Sequence, residues 1–183
     1  MEEEAISIHA LEGAPLLPVT LVLGGARSGK SLFAENLVTA AGHGTYIATA
    51  EACDTEMRVR IDQHRNRRGQ SWRTIEAPLD LVGALTMAEA EGDPVLIDCL
   101  TLWLSNLMEA DRNIENESDS LISRLSGIRC PVVIVSNEVG HGIVPANPLA
   151  RQFCDNAGIL NQAIAAVADR AFFVTAGIPA QLK

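Results

Sequence analysis

Eight residues near the start of the chain, GGARSGKS at positions 24–31, have types and spacing that suit phosphate chemistry. Gly24, Gly25, Ala26, Arg27, Ser28, Gly29, Lys30 and Ser31 match the pattern GxxxxGK[ST] at every fixed position. Glycines let consecutive backbone N–H groups turn toward phosphate oxygens, and a following helix adds its positive N-terminal end. The pattern predicts a nucleotide-binding loop in which Lys30 is catalytic at the β- and γ-phosphates and Ser31 binds Mg²⁺.

A carboxylate at the end of a second buried strand suits the same chemistry. Asp98 ends the apolar run VLID, where a side chain can hold the metal ion directly or through water. An aspartate in this place can also simply end a strand or cap the helix that starts near Thr101. Because the phosphate loop needs a metal ligand, we favour the metal role.

The third chemical candidate is His64, which lies among arginines. Residues 55–68 are predicted to form a helix that ends at Gly69. Met57, Ile61 and His64 follow one another at i, i+4 and i+7, so His64 continues the apolar stripe of this helix. Taken alone, this spacing favours a half-buried structural histidine beside a solvated basic face.

The arginines around His64 also allow a nucleophile. Arg60, Arg67 and Arg68 lie within a turn of it. Neighbouring guanidinium groups disfavour imidazolium, which keeps a nitrogen lone pair available, and they can hold phosphate oxygens. A phosphorylated or nucleotidylated histidine is a reactive intermediate. The helix pattern leaves both interpretations open.

These candidates are positioned by alternating strands and helices. Apolar runs predict strands at residues 19–25, 45–50, 72–77, 94–100, 131–137 and 171–177. Helical patterns cover residues 31–41, 55–68, 81–92, 100–110, 118–127 and 148–170. Such alternation predicts an α/β fold with a mainly parallel sheet covered by helices on both faces. Ligands then bind beyond the carboxyl ends of the strands.

Composition narrows the class of protein. The 183 residues, 48% of them hydrophobic, predict one domain over residues 19–183 after a partly disordered extension, residues 1–18. The formal net charge of −9 argues against nucleic-acid binding, and the basic residues clustered in 58–73 suit a small anion. No run approaches the roughly 18 apolar residues of a membrane span. An acidic N-terminus without an export signal and four scattered cysteines predict a reduced cytoplasm and no structural zinc.

Several motifs together resemble one family, over about residues 19–179. They are GGARSGKS, YIATA, DTEMRVRIDQHR, WRTIE, VLIDCLTLWLSNL, SNEVGHGIVP and LARQFCDNAGILNQ. In order and spacing they are similar to adenosylcobinamide kinase/adenosylcobinamide-phosphate guanylyltransferase, a bifunctional family of cobalamin synthesis. The resemblance implies a P-loop NTPase-like (RecA-like) fold. It also implies phosphorylation of adenosylcobinamide by ATP or GTP, and then transfer of GMP from GTP to adenosylcobinamide phosphate.

The resemblance also assigns roles to individual residues. In its E-M-x-x-R-I-x-x-H motif the histidine that becomes guanylylated falls on His64, which reverses the structural interpretation given above. Nucleotide contacts fall on residues 24–31 and on these further positions: Ala48, Thr49, Ala50, Arg65, Asn66, Arg67, Arg68, Glu76 and Asp98. Mg²⁺ is the implied cofactor, and a homotrimer is the assembly that the family suggests.

Two matters stay open in the sequence. Asn137 and Glu138 follow the buried run PVVIVS, where they could contact the corrinoid or metal-bound water, or could only shape a turn. The function could also be narrower, either a kinase that does not use His64 or a non-catalytic nucleotide switch whose acidic extension binds a partner.

Overall fold

The expected alternation of strands and helices is present in a computed structural model of the chain, which describes residues 15–50 and 72–183. The strands are β1 (Val19–Gly24), β2 (Gly44–Ala48), β3 (Trp72–Glu76), β4 (Val95–Asp98), β5 (Val132–Asn137), β6 (Arg170–Thr175) and β7 (Ile178–Gln181). The helices are α1 (Lys30–Thr39), α2 (Leu81–Glu89), α3 (Leu100–Glu109), α4 (Ile114–Ser126) and α5 (Pro148–Val167).

These seven strands form one sheet in the order β3-β2-β4-β5-β1-β6-β7. All pairs are parallel except β6 with β7. The central strands β1, β4 and β5 are almost fully buried apolar runs, as expected of a parallel sheet covered on both faces. The predicted α/β fold with a mainly parallel sheet is confirmed.

Alternate residues of each strand point to opposite faces, and each face has its own core. The four-helix face is covered by α2, α3, α4 and α5, and its core is built around Leu21, Ile97, Trp103, Ile134 and Ile164. The opposite face, called the α1 face here, carries Val22, Leu96, Val133, Val135 and Phe172 packed against α1. Phe33 of α1 meets Phe172 edge to face, with ring centroids 5.0 Å apart.

Some element boundaries differ from the sequence prediction. Helix α4 begins at Ile114 instead of residue 118 because the side chain of Asn113 accepts a hydrogen bond from the backbone N–H of Asn116 and caps the first turn. Leu100, which the sequence patterns assigned both to the end of a strand and to the start of a helix, is the first residue of α3. Strand β7 was not predicted at all. It is a short edge strand with a proline and without an apolar run, so it lacks the usual strand pattern.

Two predicted segments lie outside the described residues, namely the helix over 55–68 and most of the extension, residues 1–14. The last residues before β1 do contact the domain. Leu16 packs against the core of the α1 face, and the carbonyl of Pro18 accepts a hydrogen bond from Val132 N at 2.8 Å. None of the described helices is long and apolar enough to cross a membrane.

Candidate nucleotide site

The predicted phosphate loop joins β1 to α1. Strand β1 ends at Gly24, and Gly29 is the N-cap of α1. No side chain in the described part of the chain caps this helix, and its first turn contains no acidic residue, so its N–H groups and positive end suit an anion. The loop therefore has the form that phosphate binding requires.

Two glycines of the loop are required by their surroundings. A Cβ atom on Gly24 would lie 2.5 Å from the carbonyl oxygen of Val174 and 2.6 Å from Oγ of Ser28. Gly29 has a φ of 96°, and its Cβ would lie 3.0 Å from Cα of Gly177. A side chain at either position would push the loop out of shape.

Strand β5 and the β6–β7 hairpin support the loop from both sides. The N–H of Gly177, in the hairpin turn, donates to the carbonyl of Ser28 at 2.7 Å. On the β5 side, the N–H of Glu138 donates to the carbonyl of Gly24 at 3.1 Å. The backbone of the loop is thus held at its beginning and near its end.

Lys30 is the first residue of α1 and is only 8% exposed. Its Nζ donates to the carbonyl of Gly25 at 2.9 Å, so the amine lies against the loop itself. Burial lowers the pKa of Lys30, while the nearby Cys99 and Asp98 act in the opposite direction. A poorly solvated ammonium close to a phosphate loop interacts strongly with phosphate charge.

Asp98 lies at the carboxyl end of β4, half-buried on the α1 face. Its Oδ2 accepts a hydrogen bond from the hydroxyl of Tyr46 at 3.1 Å. The N-cap of α3 is Cys99, and no side chain caps that helix, so Asp98 does not have the capping role considered above. Tyr46 was not predicted because strand pairing, not sequence spacing, brings it to Asp98.

Strand register brings the predicted residues to one edge of the sheet. Ala48 is paired with Asp98 on one side and with Glu76 on the other, and Gly24 is paired with Asn137. By the alternation of side chains these positions all belong to the α1 face. The carboxyl edge on this face therefore collects the phosphate loop, two carboxylates and an amide. Glu76, on the edge strand β3, is exposed.

Thr49 and Ala50 follow β2 at the same edge. Thr49 is fully buried, and its hydroxyl donates to the carbonyl of Cys99 at 2.7 Å and accepts from Cys99 N at 2.8 Å. The side chain of Asn106 holds the carbonyl of Thr49 at 2.8 Å. In the structure Thr49 thus shapes the turn after Asp98, and a nucleotide contact at Thr49 stays a prediction. Ala50 is half-buried, and a contact there stays a prediction.

Asn137 and Glu138 lie directly beside the phosphate loop. Asn137 ends β5 and is half-buried, and Glu138 folds its carboxylate back onto the N–H of Gly140 at 2.6 Å. The loop that follows exposes Ile143 and Val144, 97% and 76% respectively. These two apolar side chains are exposed to solvent in the loop between β5 and α5.

The predicted nucleophile His64 and the predicted contacts Arg65, Asn66, Arg67 and Arg68 lie outside the described residues. One member of the basic cluster is described. Arg73, near the amino end of β3, forms an ion pair with Glu91. Its positive charge therefore lies at the amino edge of the sheet, opposite to the phosphate loop.

The residues at the loop fit Mg²⁺. The hydroxyl of Ser31 and the carboxylate of Asp98 are hard ligands, and Mg²⁺ in nucleotide sites needs only one or two protein oxygens besides phosphate and water. Tyr46 occupies one oxygen of Asp98 and so orients the carboxylate. The described residues contain no group of three or more His, Cys, Asp or Glu side chains that could hold a metal ion by themselves.

A phosphate loop after β1, with the strand of Asp98 separated from it by β5, defines a P-loop NTPase-like domain. The family model for cobinamide kinase / cobinamide phosphate guanyltransferase matches residues 20–182. The chain belongs to this family of bifunctional enzymes, and the resemblance stated from the motifs is confirmed.

Characterised relatives agree. The bifunctional adenosylcobalamin biosynthesis protein CobP of Pseudomonas aeruginosa is 46% identical over 166 residues, covering 89% of this chain and 96% of the relative. The proteins named CobU of Salmonella typhimurium and Escherichia coli are 42% and 39% identical over 180 residues, covering 89% of this chain and 98% of each relative. A solved structure of an ATPase domain superposes with a TM-score of 0.49 at 13% identity, covering 85% of this chain and 68% of that one.

Proposed function

We propose that the chain carries out both reactions of its family on one nucleotide site. It phosphorylates adenosylcobinamide with ATP or GTP, and it then transfers GMP from GTP through a guanylylated His64 to adenosylcobinamide phosphate. The products are adenosylcobinamide-GDP and pyrophosphate. The observation that carries the proposal is the meeting of Lys30, the phosphate loop and Asp98 at one sheet edge, in a chain of this family.

In the kinase step the corrinoid hydroxyl attacks the γ-phosphorus. The new P–O bond forms as the bond to the β–γ bridging oxygen breaks, the hydroxyl proton passes to solvent water, and a nucleoside diphosphate leaves. Lys30 and the N–H groups of the loop hold the phosphate oxygens in line and balance their charge. Mg²⁺, held by Ser31 and Asp98, would supply further charge neutralisation there.

In the transfer step a ring nitrogen of His64 attacks the α-phosphorus of GTP and pyrophosphate leaves. An oxygen of the corrinoid phosphate then attacks the same phosphorus and displaces the histidine. This course gives ping-pong kinetics. The two steps act on different phosphorus atoms, so the nucleotide or the segment that carries His64 must shift between them.

Further proposals concern the surroundings of the enzyme. We infer a homotrimer, a cytoplasmic location and no binding of nucleic acid, on the basis of the family resemblance and the acidic composition. These expectations are checked by light scattering, cell fractionation and titration with labelled duplex DNA.

One experiment separates the proposed function from its alternatives. The protein is incubated with GTP, Mg²⁺ and adenosylcobinamide, and the products are identified by mass. With α-labelled GTP we expect acid-labile GMP on the wild-type protein and on His43→Ala, whose histidine pairs with Asp93 at the far edge of the sheet, but none on His64→Ala. Phosphorylation without covalent GMP would leave a kinase that does not use His64. No corrinoid-dependent turnover would favour a nucleotide switch.

A further inference from the structure

Helix α5 carries a polar residue in its buried stripe. Its buried positions are Ala157, Leu160, Asn161 and Ile164, which follow the spacing of a helix face that packs on a sheet. Asn161 is only 6% exposed, and its Oδ1 finds no hydrogen-bond partner in the part of the chain that the structure describes. A buried amide group without hydrogen-bond partners lowers the free energy of unfolding, so an asparagine in this place is expected to have a structural or functional role.

In the structure, the side chain of Asn161 holds the carboxyl end of β5 in place. Nδ2 of Asn161 donates to the carbonyl of Asn137 at 3.2 Å. From the other side, the backbone N–H of Asn137 donates to Oγ1 of Thr101 at 2.7 Å. Thr101 lies in the first turn of α3, is 8% exposed and also contacts the hydroxyl of Ser136 at 3.4 Å. Both backbone groups of Asn137 are thus held by side chains.

Strand lengths explain why side chains are needed here. Strand β4 ends at Asp98, opposite Val135, so β5 extends two residues further. Val132 and Glu138 direct their N–H groups toward β1, and the alternation of the ladder then directs the backbone groups of Asn137 toward β4. Because β4 has already ended, Thr101 and Asn161 take the place of a strand.

The side chain of Asn137 lies on the opposite side of this clamp. It belongs to the α1 face, as Val133 and Val135 do, on a strand that separates the phosphate loop from the strand of Asp98. Its amide makes no hydrogen bond with any described residue. A fixed backbone therefore presents, between the two halves of the site, an amide that has no partner among residues 15–50 and 72–183.

We propose that Thr101 and Asn161 are positioning residues that clamp the backbone of Asn137, so that its side-chain Nδ2 donates a hydrogen bond to an oxygen of the phosphoryl group in transfer. This inference rests on the proposed kinase step. Charge on the equatorial oxygens of that group is stabilised by donors that are already in place. The clamp forms no covalent bond and moves no proton.

The test compares two clamp substitutions of nearly equal volume with one truncation. Thr101→Val removes the hydroxyl, Asn161→Asp replaces the donor by an acceptor, and Asn137→Ala removes the presented amide. We expect kcat for corrinoid phosphorylation to fall roughly 100-fold in Asn137→Ala and roughly tenfold in the two clamp variants. The KM for the nucleotide should stay within about threefold of wild type, because the loop is intact. Thr101→Ser keeps the hydroxyl and should restore kcat.

Thr45→Val is the matched control. Thr45 is also a fully buried threonine, but it lies at the amino end of β2 and its hydroxyl has no hydrogen-bond partner in the described part of the chain. Replacing this buried hydroxyl by a methyl group should leave the melting temperature unchanged or raise it, without changing kcat. Covalent guanylylation by α-labelled GTP is a second readout. In Asn137→Ala and in the two clamp variants its rate should fall at least severalfold less than the rate of phosphorylation, because guanylylation occurs at the α-phosphorus.

The outcomes are distinguishable. If wild-type protein phosphorylates the corrinoid but Thr101→Val and Asn161→Asp keep wild-type kcat, the clamp is wrong and the proposed function stands. If both reactions fall in parallel with the melting temperature in Thr101→Val and Asn161→Asp, the two residues are only structural. A wild-type protein without corrinoid phosphorylation overturns the proposed function and the clamp with it.

Discussion

Four helices cover one face of the sheet, whereas among the described residues the opposite face is covered by α1 alone. The four-helix face is a conventional apolar core that includes Trp103 and Leu104. On the α1 face, the strands end in Gly24, Asp98 and Asn137 and lead to Lys30. The comparison shows that the sheet separates two tasks, because stability comes mainly from one face and phosphate chemistry from the carboxyl edge of the other.

The largest expected effect is that of Lys30→Met. The phosphate loop loses its ammonium, so kcat for phosphorylation should fall about 10³-fold. Burial lowers the pKa of Lys30, so the charged amine opposes folding below its folded pKa, and that cost disappears as the pH rises toward the unfolded pKa. At neutral pH the free energy of unfolding should therefore be no lower in the variant.

The check is urea unfolding at pH 7 and at pH 10, together with steady-state kinetics. Lys183→Ala is the matched control, because its Nζ donates to the carbonyls of Ala165 and Ala166 on the surface, far from the phosphate loop in the sequence. A large loss of stability in Lys30→Met would show that the two tasks are not separated.

The four-helix face should give the reverse pattern. Trp103→Ala leaves a cavity in the larger core and removes the hydrogen bond from Nε1 to the carbonyl of Leu79, 2.9 Å long. The free energy of unfolding should fall by about 3–5 kcal/mol. Kinetics at low temperature, where the variant is folded, should give a kcat within about threefold of wild type. A selective loss of kcat would place Trp103 in the functional machinery.

An acid-dependent effect is expected at Glu89, which joins α2 to α4 and to the start of β5. The backbone N–H of Arg129, followed by its guanidinium and by Arg124, lowers the pKa of Glu89 to about 2. The ionised form therefore stabilises the fold above pH 4.5, and this contribution is lost as the pH falls toward 2.

Glu89→Gln should lower stability at pH 7 and lose less of it between pH 4.5 and pH 2.5 than the wild type does. Urea unfolding across this range, with Glu109→Gln on α3 as the control, measures the difference. Kinase parameters at pH 7 should stay unchanged. If both variants follow the wild-type curve, the ion pairs of Glu89 contribute nothing to acid stability.

The smallest expected effect is at Tyr46, which joins the apolar core of the α1 face to Asp98. Tyr46→Phe keeps the edge-to-face contact with Trp72, at 6.0 Å between centroids, but removes the hydrogen bond to Asp98. Stability should fall by about 1 kcal/mol. The Mg²⁺ concentration for half-maximal phosphorylation should rise severalfold, and saturating Mg²⁺ should restore kcat. An unchanged Mg²⁺ requirement would show that the hydrogen bond from Tyr46 does not orient a metal ligand.

Much of this arrangement could be predicted from the sequence because it depends on residues that are close together in the chain. The apolar runs of β1, β4 and β5 and the loop from Gly24 to Ser31 are contiguous, and strand ends at a common edge follow from parallel pairing. Asp98 was found in this way. The order and spacing of the motifs also supported the family. The family model, which matches residues 20–182, confirms it.

Contacts between distant segments could not be predicted. Tyr46 meets Asp98 only because β2 pairs with β4, and Thr101 reaches Asn137 only because β5 extends beyond β4. A signal existed for Asn161, since a polar residue interrupts an apolar helical stripe, but its partner depends on strand order. The role of His64 rests on the family motif, because helix periodicity alone favoured a structural histidine.

The hydrogen bond from Gly177 to Ser28 joins the last hairpin of the sheet to the phosphate loop. These residues are separated by most of the chain, so the contact closes late, when the edge of the sheet is assembled. The phosphate loop should therefore not unfold separately from the sheet. In rising denaturant, nucleotide binding should disappear together with the sheet instead of ahead of it, and the affinity of the site becomes a direct report on the cooperativity of the whole fold.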